Sequence, residues 1–330
     1  MHYRVISLIV LSFLASVRAD NAARVTLTPQ ADRVRVEVDG KLFTEYVFAG
    51  AHRPYLYPIV MPDGTSLTRD FPMKETPGED HDHPWHRSLW FAHSSVNGVD
   101  FWNEGNGDAG KSPVDKGSIV HDALTETKSG DVGVIQARNR WVAPDGKLIC
   151  TDDRTIRIRG TKELRMIDYE VTLHALPDKP LLIGDNKDGT MAIRLAQWMT
   201  MPHKYQKENL PGSGHIGTST GARDADAWGK RADWCDYTAP REGKTYGIAI
   251  FDNPQNLRHP TWWMARDYGL FGANPFGQHD YENLKDQPHK GDYTVPAGGS
   301  LTLRYRFVFH TGDDKAAHLG DLYRAYADGK

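Results

Sequence analysis

The densest run of chemistry-bearing residues is His81-Asp82-His83-Pro84-Trp85-His86-Arg87, which leads into Leu89-Trp90-Phe91-Ala92-His93. Imidazoles titrate near neutral pH, so such a cluster can give and take protons or bind a first-row metal through nitrogen. If the segment is extended, His81 and His83 fall on one face, because side chains alternate along a strand. Pro84 then breaks the ladder and lets His86 and Arg87 turn into a pocket. His83 and His86 are therefore candidate acid/base residues, and the candidate ligands should a divalent metal be bound. No other cofactor is indicated. A solvated, His-rich loop is the plain alternative.

Three more clusters follow. Gly184-Asp185-Asn186-Lys187-Asp188-Gly189-Thr190 reads as an acidic turn or as a site contributing Asp185 and Lys187. In the run Ala227 to Tyr237, Trp228 stands beside Lys230 and Arg231, a pairing suited to a sugar ring with polar substituents, and Asp236 supplies a carboxylate; Trp234 reads as core. In Arg258-His259-Pro260-Thr261-Trp262-Trp263, one of the paired tryptophans points away from the core if the segment is a strand. That face, with Arg258 and His259 alongside, is a ligand platform or an edge strand capped by aromatics. Two look-alike motifs fail. A metallo-β-lactamase-type H-x-H-x-D-H is absent, because Pro84-Trp85 stands where x-Asp belongs, and no Glu is placed to complete a cupin set.

The elements that must position these residues are strands. Val34 to Val38 alternates, Asp39-Gly40 supplies a tight turn, and Leu42 to Phe48 returns. The same device recurs from Trp141 to Cys150 around Asp145-Gly146. Leu164 to Leu173 and Tyr246 to Phe251 are further strands. Leu301, Leu303, Tyr305, Phe307 and Phe309 share one face, opposite Thr302, Arg304 and Arg306. Only the tail reads as helix, with Leu319, Leu322, Tyr323 and Tyr326 at helical spacing and Asp313 or Asp314 as a cap. Many strands without intervening helices predict an all-β fold, one large antiparallel β-sandwich with a short C-terminal helix. The stretches Asp70 to Asp82 and Gly105 to Lys116 are long polar loops of the kind that carry function.

Composition narrows the partners. A net charge of −3 offers no basic field for a nucleic-acid backbone. Nine Trp and 14 Tyr supply large buried surfaces and ring platforms. Arg4, the apolar run Val5 to Val17 and the small residues ending at Ala19 predict a secretory signal over residues 1–19, followed by one domain over residues 20–330. No later stretch is apolar enough to span a bilayer, so the expected destination is the periplasm or the exterior. Cys150 and Cys235 are the only cysteines and form either a disulfide or two buried thiols.

Taken in order, several motifs carry a family resemblance. They are Arg53-Pro-Tyr-Leu-Tyr-Pro58, Asp82 to His93, Asn97-Gly-Val-Asp-Phe-Trp102, Asp185 to Gly189, Trp228 to Tyr237, Arg258 to Trp263 and Asn274-Pro-Phe-Gly277. Together they resemble the PmoA-like family from about residue 50 to the C-terminus. Two positions depart from its pattern, Trp85 where a His is commoner and Asn186-Lys187-Asp188 in place of Thr-Lys-Glu. The oxygenase sense of that label is rejected, because methane oxygenase subunits span the membrane several times. The resemblance implies instead a galactose-mutarotase-like sandwich and a setting in carbohydrate breakdown. In mutarotase-like enzymes a His acid and a late Glu base act across the sugar ring. His83, His86 and His259 are then the candidate acids. Glu242 and Glu282 lie in loop-like contexts, so Asp236 or Asp267 must stand in as base. Arg53, Asp185, Arg258, Trp263 and Asn274 fall to substrate binding. The expected function is acid/base chemistry on a sugar, as lyase, hydrolase or epimerase. In one variant a keto-glycoside undergoes elimination with Arg87, Lys187 or Lys230 stabilising the enolate. A non-catalytic glycan-binding module and a divalent-metal-dependent lyase or hydrolase are the alternatives.

Overall fold

A computed structural model describes residues 22–104 and 116–329. The predicted secretory signal, and the polar loop up to Asp115, lie outside the described residues. The protein is built from two eight-stranded sheets, antiparallel throughout, packed face to face. One sheet runs in the order Val25–Pro29, Arg33–Val38, Lys41–Val47, Tyr55–Leu56, Leu89–His93, Gly189–Arg194, Leu270–Asn274, Trp262–Ala265. The other runs His215–Thr218, Trp234–Arg241, Lys244–Asp252, Ser300–Thr311, Arg165–Ala175, Leu148–Gly160, Gly133–Val142, Ser118–Lys128. The expected all-β sandwich is therefore what forms.

Alternation explains the second sheet. Arg165–Ala175 buries every other residue, as a strand with one solvated face must. The turns follow their residues too. Asp39 and Gly40 both take positive φ (51° and 73°), the two-residue hairpin that twists with its strands. At Asp145-Gly146 only the glycine is left-handed, and a register shift at Trp141/Val142 absorbs the longer loop. The helix Leu319–Ala327 also forms, but neither Asp313 nor Asp314 caps it. His318 precedes it in a left-handed conformation, while Asp313 caps the turn before it through the Ala316 amide at 2.8 Å. Cys150 and Cys235 are both buried free thiols.

The first sheet departs from alternation where it matters. Leu89–His93, Gly189–Arg194, Leu270–Asn274 and Trp262–Ala265 are buried at every position. Their inward face meets the second sheet, with Phe91 edge-on to Trp141 at 6.2 Å and Phe271 to Tyr237 at 6.1 Å. Register places Trp90, Ala192, Gly272 and Met264 in one row on the opposite face. Loops cover that outer face. His86 stacks on Trp90 at 5.2 Å, Trp102 packs on it at 5.0 Å, and Trp262 donates to Glu282 beyond the short helix Gln278–Tyr281. Burying a large apolar side chain contributes about 1.5–3 kcal/mol, so these rings fix the covering loops firmly.

Candidate active site

Between the outer face and its covering loops lies a cavity of about 230 Å³. Met264 and Leu270 rise from the sheet. His83, Trp85, His86, Trp102 and Asn103 come from the loops flanking Leu89–His93. Lys187 and Asp188 come from the turn before Gly189–Arg194, and Trp228, Arg266 and Tyr268 complete the lining. A larger depression of about 430 Å³, lined by Met61, Lys162, Lys244 and Thr311 among others, holds no imidazole among the described residues.

His83 is held by a half-buried cluster of charges around Asp82. Asp82 accepts from Arg194 Nη2 at 2.7 Å, from Arg69, and from His83 Nδ1 at 2.5 Å. Arg69 also donates to the Asp80 and His83 carbonyls at 3.1 and 3.0 Å, which pins the loop backbone. Burial would raise the Asp82 pKa, but the His83 hydrogen bond and the two guanidinium charges overcome it and hold the carboxyl far below the ordinary range. An ionised carboxylate only accepts, so His83 Nδ1 carries a proton and Nε2 is the nitrogen left for chemistry. The ring is sandwiched between His86 (centroids 4.6 Å apart) and Tyr268 (5.4 Å), with its side chain 38 % exposed. His83 sits at φ 42°, a left-handed conformation in which backbone strain accompanies functional placement.

His86 is the opposite case. Arg194 Nη1 approaches its Nδ1 at 3.2 Å. A guanidinium only donates, so Nδ1 accepts and the proton resides on Nε2. Burial first, then the charges of His83, Arg194 and Arg69, hold its pKa well below the usual value. His86 is a neutral N–H donor. Because the His83 and His86 rings are stacked with parallel planes, their in-plane lone pairs run side by side and do not converge on one ion. Among the described residues no group of three or more His, Cys, Asp or Glu is arranged to hold a metal.

Asp188 supplies the second titratable group. Its turn is fixed from all sides. Asp188 N donates to Asn186 Oδ1 at 2.9 Å, and Asn274 Nδ2 donates to the Asn186 and Lys187 carbonyls at 2.9 and 3.0 Å. Tyr281 OH donates to the Lys187 carbonyl at 2.9 Å. Gly189 permits the close packing that follows, since a Cβ there would stand 2.0 Å from His93 Nδ1. The Asp188 carboxylate is sunk in the cavity yet keeps 36 % of its side-chain surface, with Lys187 Nζ 3.9 Å away. Burial raises its pKa, only partly offset by Lys187 and by the His83 charge. Asp188 and His83 therefore face one space and feel each other.

A model of one family matches residues 33–324. The chain belongs to the family of unknown function DUF6807. That description lends no support to the PmoA label. No curated protein matches this DUF6807 member by sequence. Among solved structures it is similar to an α-galactosidase from Lactobacillus brevis (10% identity, TM-score 0.34, 88% of this chain and 39% of that one). It is similar to the GH36 α-galactosidase AgaA of Geobacillus stearothermophilus, solved with raffinose (11%, 0.37, 88% and 40%). A galactose mutarotase related enzyme from Lactobacillus acidophilus is a third (8%, 0.29, 87% and 97%). The chain spans about two fifths of the length of the two α-galactosidases.

The remaining candidates of this DUF6807 chain divide between support and distance. Arg53 is buried and donates to the carbonyls of Trp85 (3.0 Å) and Trp102, so it braces the cavity wall from behind. Asn274 is wholly buried and shapes the Asp188 turn. Arg87 is spent on Glu104 at 2.9 Å, Asp185 on the His279 and Gly291 amides, and Arg258 on the carbonyls of Pro275, Gly291 and Asp292. Lys230 is exposed and outside the lining. His259 and Asp236 do not reach the cavity. His259 pairs with Asp252 at 2.7 Å and Asp233 at 3.4 Å, and Asp236 pairs with buried His310 at 3.0 Å.

The expected Trp platform is also corrected. Trp262 and Trp263 are both buried, the first covered by Arg231 at 4.6 Å and the second turned into the core. Trp228 lines the cavity, but its ring carries Arg266 at 3.5 Å and meets the Tyr281 ring near-perpendicular at 5.2 Å. His81 is turned away, stacked on Phe71 and paired with Glu75. Sequence reasoning assigned no role to Asp82, Asp188, Arg194, Arg266 or Tyr268. One signal was present for Arg194, a lone charge inside Met191-Ala-Ile-Arg-Leu195, which requires a buried partner.

Proposed function

We propose that the chain is an exported carbohydrate-active enzyme that moves protons on a sugar or glycoside. The observation that carries it is the shared cavity in which His83, oriented by Asp82, and Asp188, with its raised proton affinity, confront one another. Two titratable groups with environments that differ this much are the working parts of acid/base catalysis. Apolar surface from Trp85, Trp102, Met264 and Leu270 matches the C–H faces of a sugar, and the polar groups match its hydroxyls.

Elimination is the reaction the parts fit best. His83 Nε2 takes a proton from a ring carbon acidified by an adjacent carbonyl group. The His86 N–H and Lys187 stabilise the charge that develops on that carbonyl oxygen. The neighbouring C–O bond breaks, a C=C bond forms, and Asp188 gives its proton to the departing oxygen. Re-addition of the proton on the other face in place of bond cleavage would be epimerisation. Arg87 and Lys230, expected as enolate stabilisers, are replaced by His86, because the first is paired with Glu104 and the second lies outside. The test is turnover of native, keto- and carboxylated glycosides by the wild type, His83→Ala and Asp188→Asn. Turnover lost in both variants with binding retained supports the enzyme. Binding without turnover in the wild type, unchanged in His83→Ala, means a glycan-binding module.

A further inference from the structure

The charge inventory of the cavity is unbalanced. Asp82 is already met by Arg69 and Arg194. Among the described residues, the charged lining that remains is Lys187, Arg266 and Asp188, two cations against one carboxylate whose proton affinity is raised by burial. Lys187 has a loose partner in Asp188 at 3.9 Å. Arg266 has none of this kind. Its guanidinium lies over the Trp228 ring at 3.5 Å and, among the described residues, neither donates a side-chain hydrogen bond nor joins an ion pair. The neighbouring Asp267 carboxylate is turned back onto the Tyr268 amide at 2.9 Å.

A guanidinium stacked on an indole is a prepared recognition element. The ring takes one of its faces and fixes its plane, while its edge keeps N–H donors in a fork. That fork matches a carboxylate with two parallel hydrogen bonds. The stack also gives the Trp228 ring a partner of its own, Arg266.

We propose that the ligand is an acidic sugar, a uronate or uronide, whose carboxylate docks on Arg266 with Lys187 beside it; the assignment rests on the cavity being a sugar site. Neutralising that carboxylate acidifies the C–H next to it. The elimination then needs no ketone. His83 takes the proton α to the carboxylate, the C–O bond one carbon further breaks, the unsaturated acid forms, and the leaving oxygen takes the Asp188 proton.

The test is calorimetric binding of methyl glucuronide and methyl galacturonide against methyl glucoside and methyl galactoside, at low salt. Wild type, Arg266→Gln and Arg266→Lys are compared. The wild type binds at least one uronide about tenfold or more tighter than its neutral counterpart, a preference one bidentate pair can supply. Arg266→Gln removes the preference, while Arg266→Lys, a point charge without the fork, restores part of it. Equal affinity for acid and neutral sugars in the wild type overturns the proposal, as does a preference that survives in Arg266→Gln. If neither series binds the wild type, it is the sugar reading that falls, and the uronate assignment with it.

Discussion

His83–Asp82 and His310–Asp236 are both imidazole–carboxylate pairs, yet they have opposite surroundings. In the first, Asp82 holds Nδ1 at 2.5 Å and the ring's other nitrogen is left to a cavity that also contains Asp188. In the second, Asp236 holds Nε2 at 3.0 Å, and His310 is packed so closely that a Cβ on Gly247 would stand 2.2 Å from its ring. His203–Asp80 at 2.8 Å is buried in the same manner. A His–Asp contact alone thus says nothing about catalysis. What sets His83 apart is a second nitrogen left to a cavity that also holds Asp188.

Substitution should separate the two regions cleanly. Alanine at His83 is expected to cost about 10²–10⁴-fold in turnover and little in thermal midpoint, because the ring is partly exposed. Alanine at His310 should leave turnover per folded molecule intact while lowering stability by about 3 kcal/mol, since it strands a buried carboxylate. Denaturant melts and steady-state rates on the same preparations check both. A stable, active His310→Ala protein would erase the contrast.

His310 and His86 differ in pH response. Burial opposes protonation of His310, but the Asp236 charge and hydrogen bonds outweigh it, and its pKa is raised from 6.5. A raised folded-state pKa contributes stability that is full below 6.5 and is lost as pH rises through the folded value. His86 works the other way. Its lowered pKa makes folding resist protonation, so stability is full above 6.5 and erodes as pH falls from there. Stability curves against pH should lose their high-pH decline in Asp236→Asn, although His259, also raised, retains a share.

The smallest effect concerns Asp188. As the proton donor it should impose a fall in rate as pH rises through its raised pKa, and the small residual turnover of Asp188→Asn should lack that limb. The same substitution should slightly raise the denaturation midpoint at neutral pH, since the wild type there keeps a partly buried charge that folding disfavours. A rate profile with the limb intact in the variant would assign the donor elsewhere.

Much of this was legible in the sequence, for local reasons. Alternation in Arg165–Ala175 and the Asp39-Gly40 turn are nearest-neighbour signals, and they located the strands. His83 and His86 stood out by density. His81 was misplaced because extended alternation fails at a left-handed residue, His83 itself. The cluster around Asp82 was invisible because Arg194 meets Asp82 across 112 residues. His259 and Asp236 lie away from this cavity, in pairs with Asp252 and His310 that no local pattern shows. Trp262 and Trp263 lie on an edge strand, the plainer of the two readings, and Arg231 covers the outward ring.

Proton abstraction by His83 is the central claim, and solvent exchange tests it most directly. Proton NMR of a bound uronide or keto-glycoside in D2O should show one ring C–H signal washed out by the wild type and by Asp188→Asn, but not by His83→Ala. A sugar that binds the wild type and keeps every C–H, or that still exchanges with His83→Ala, would contradict it.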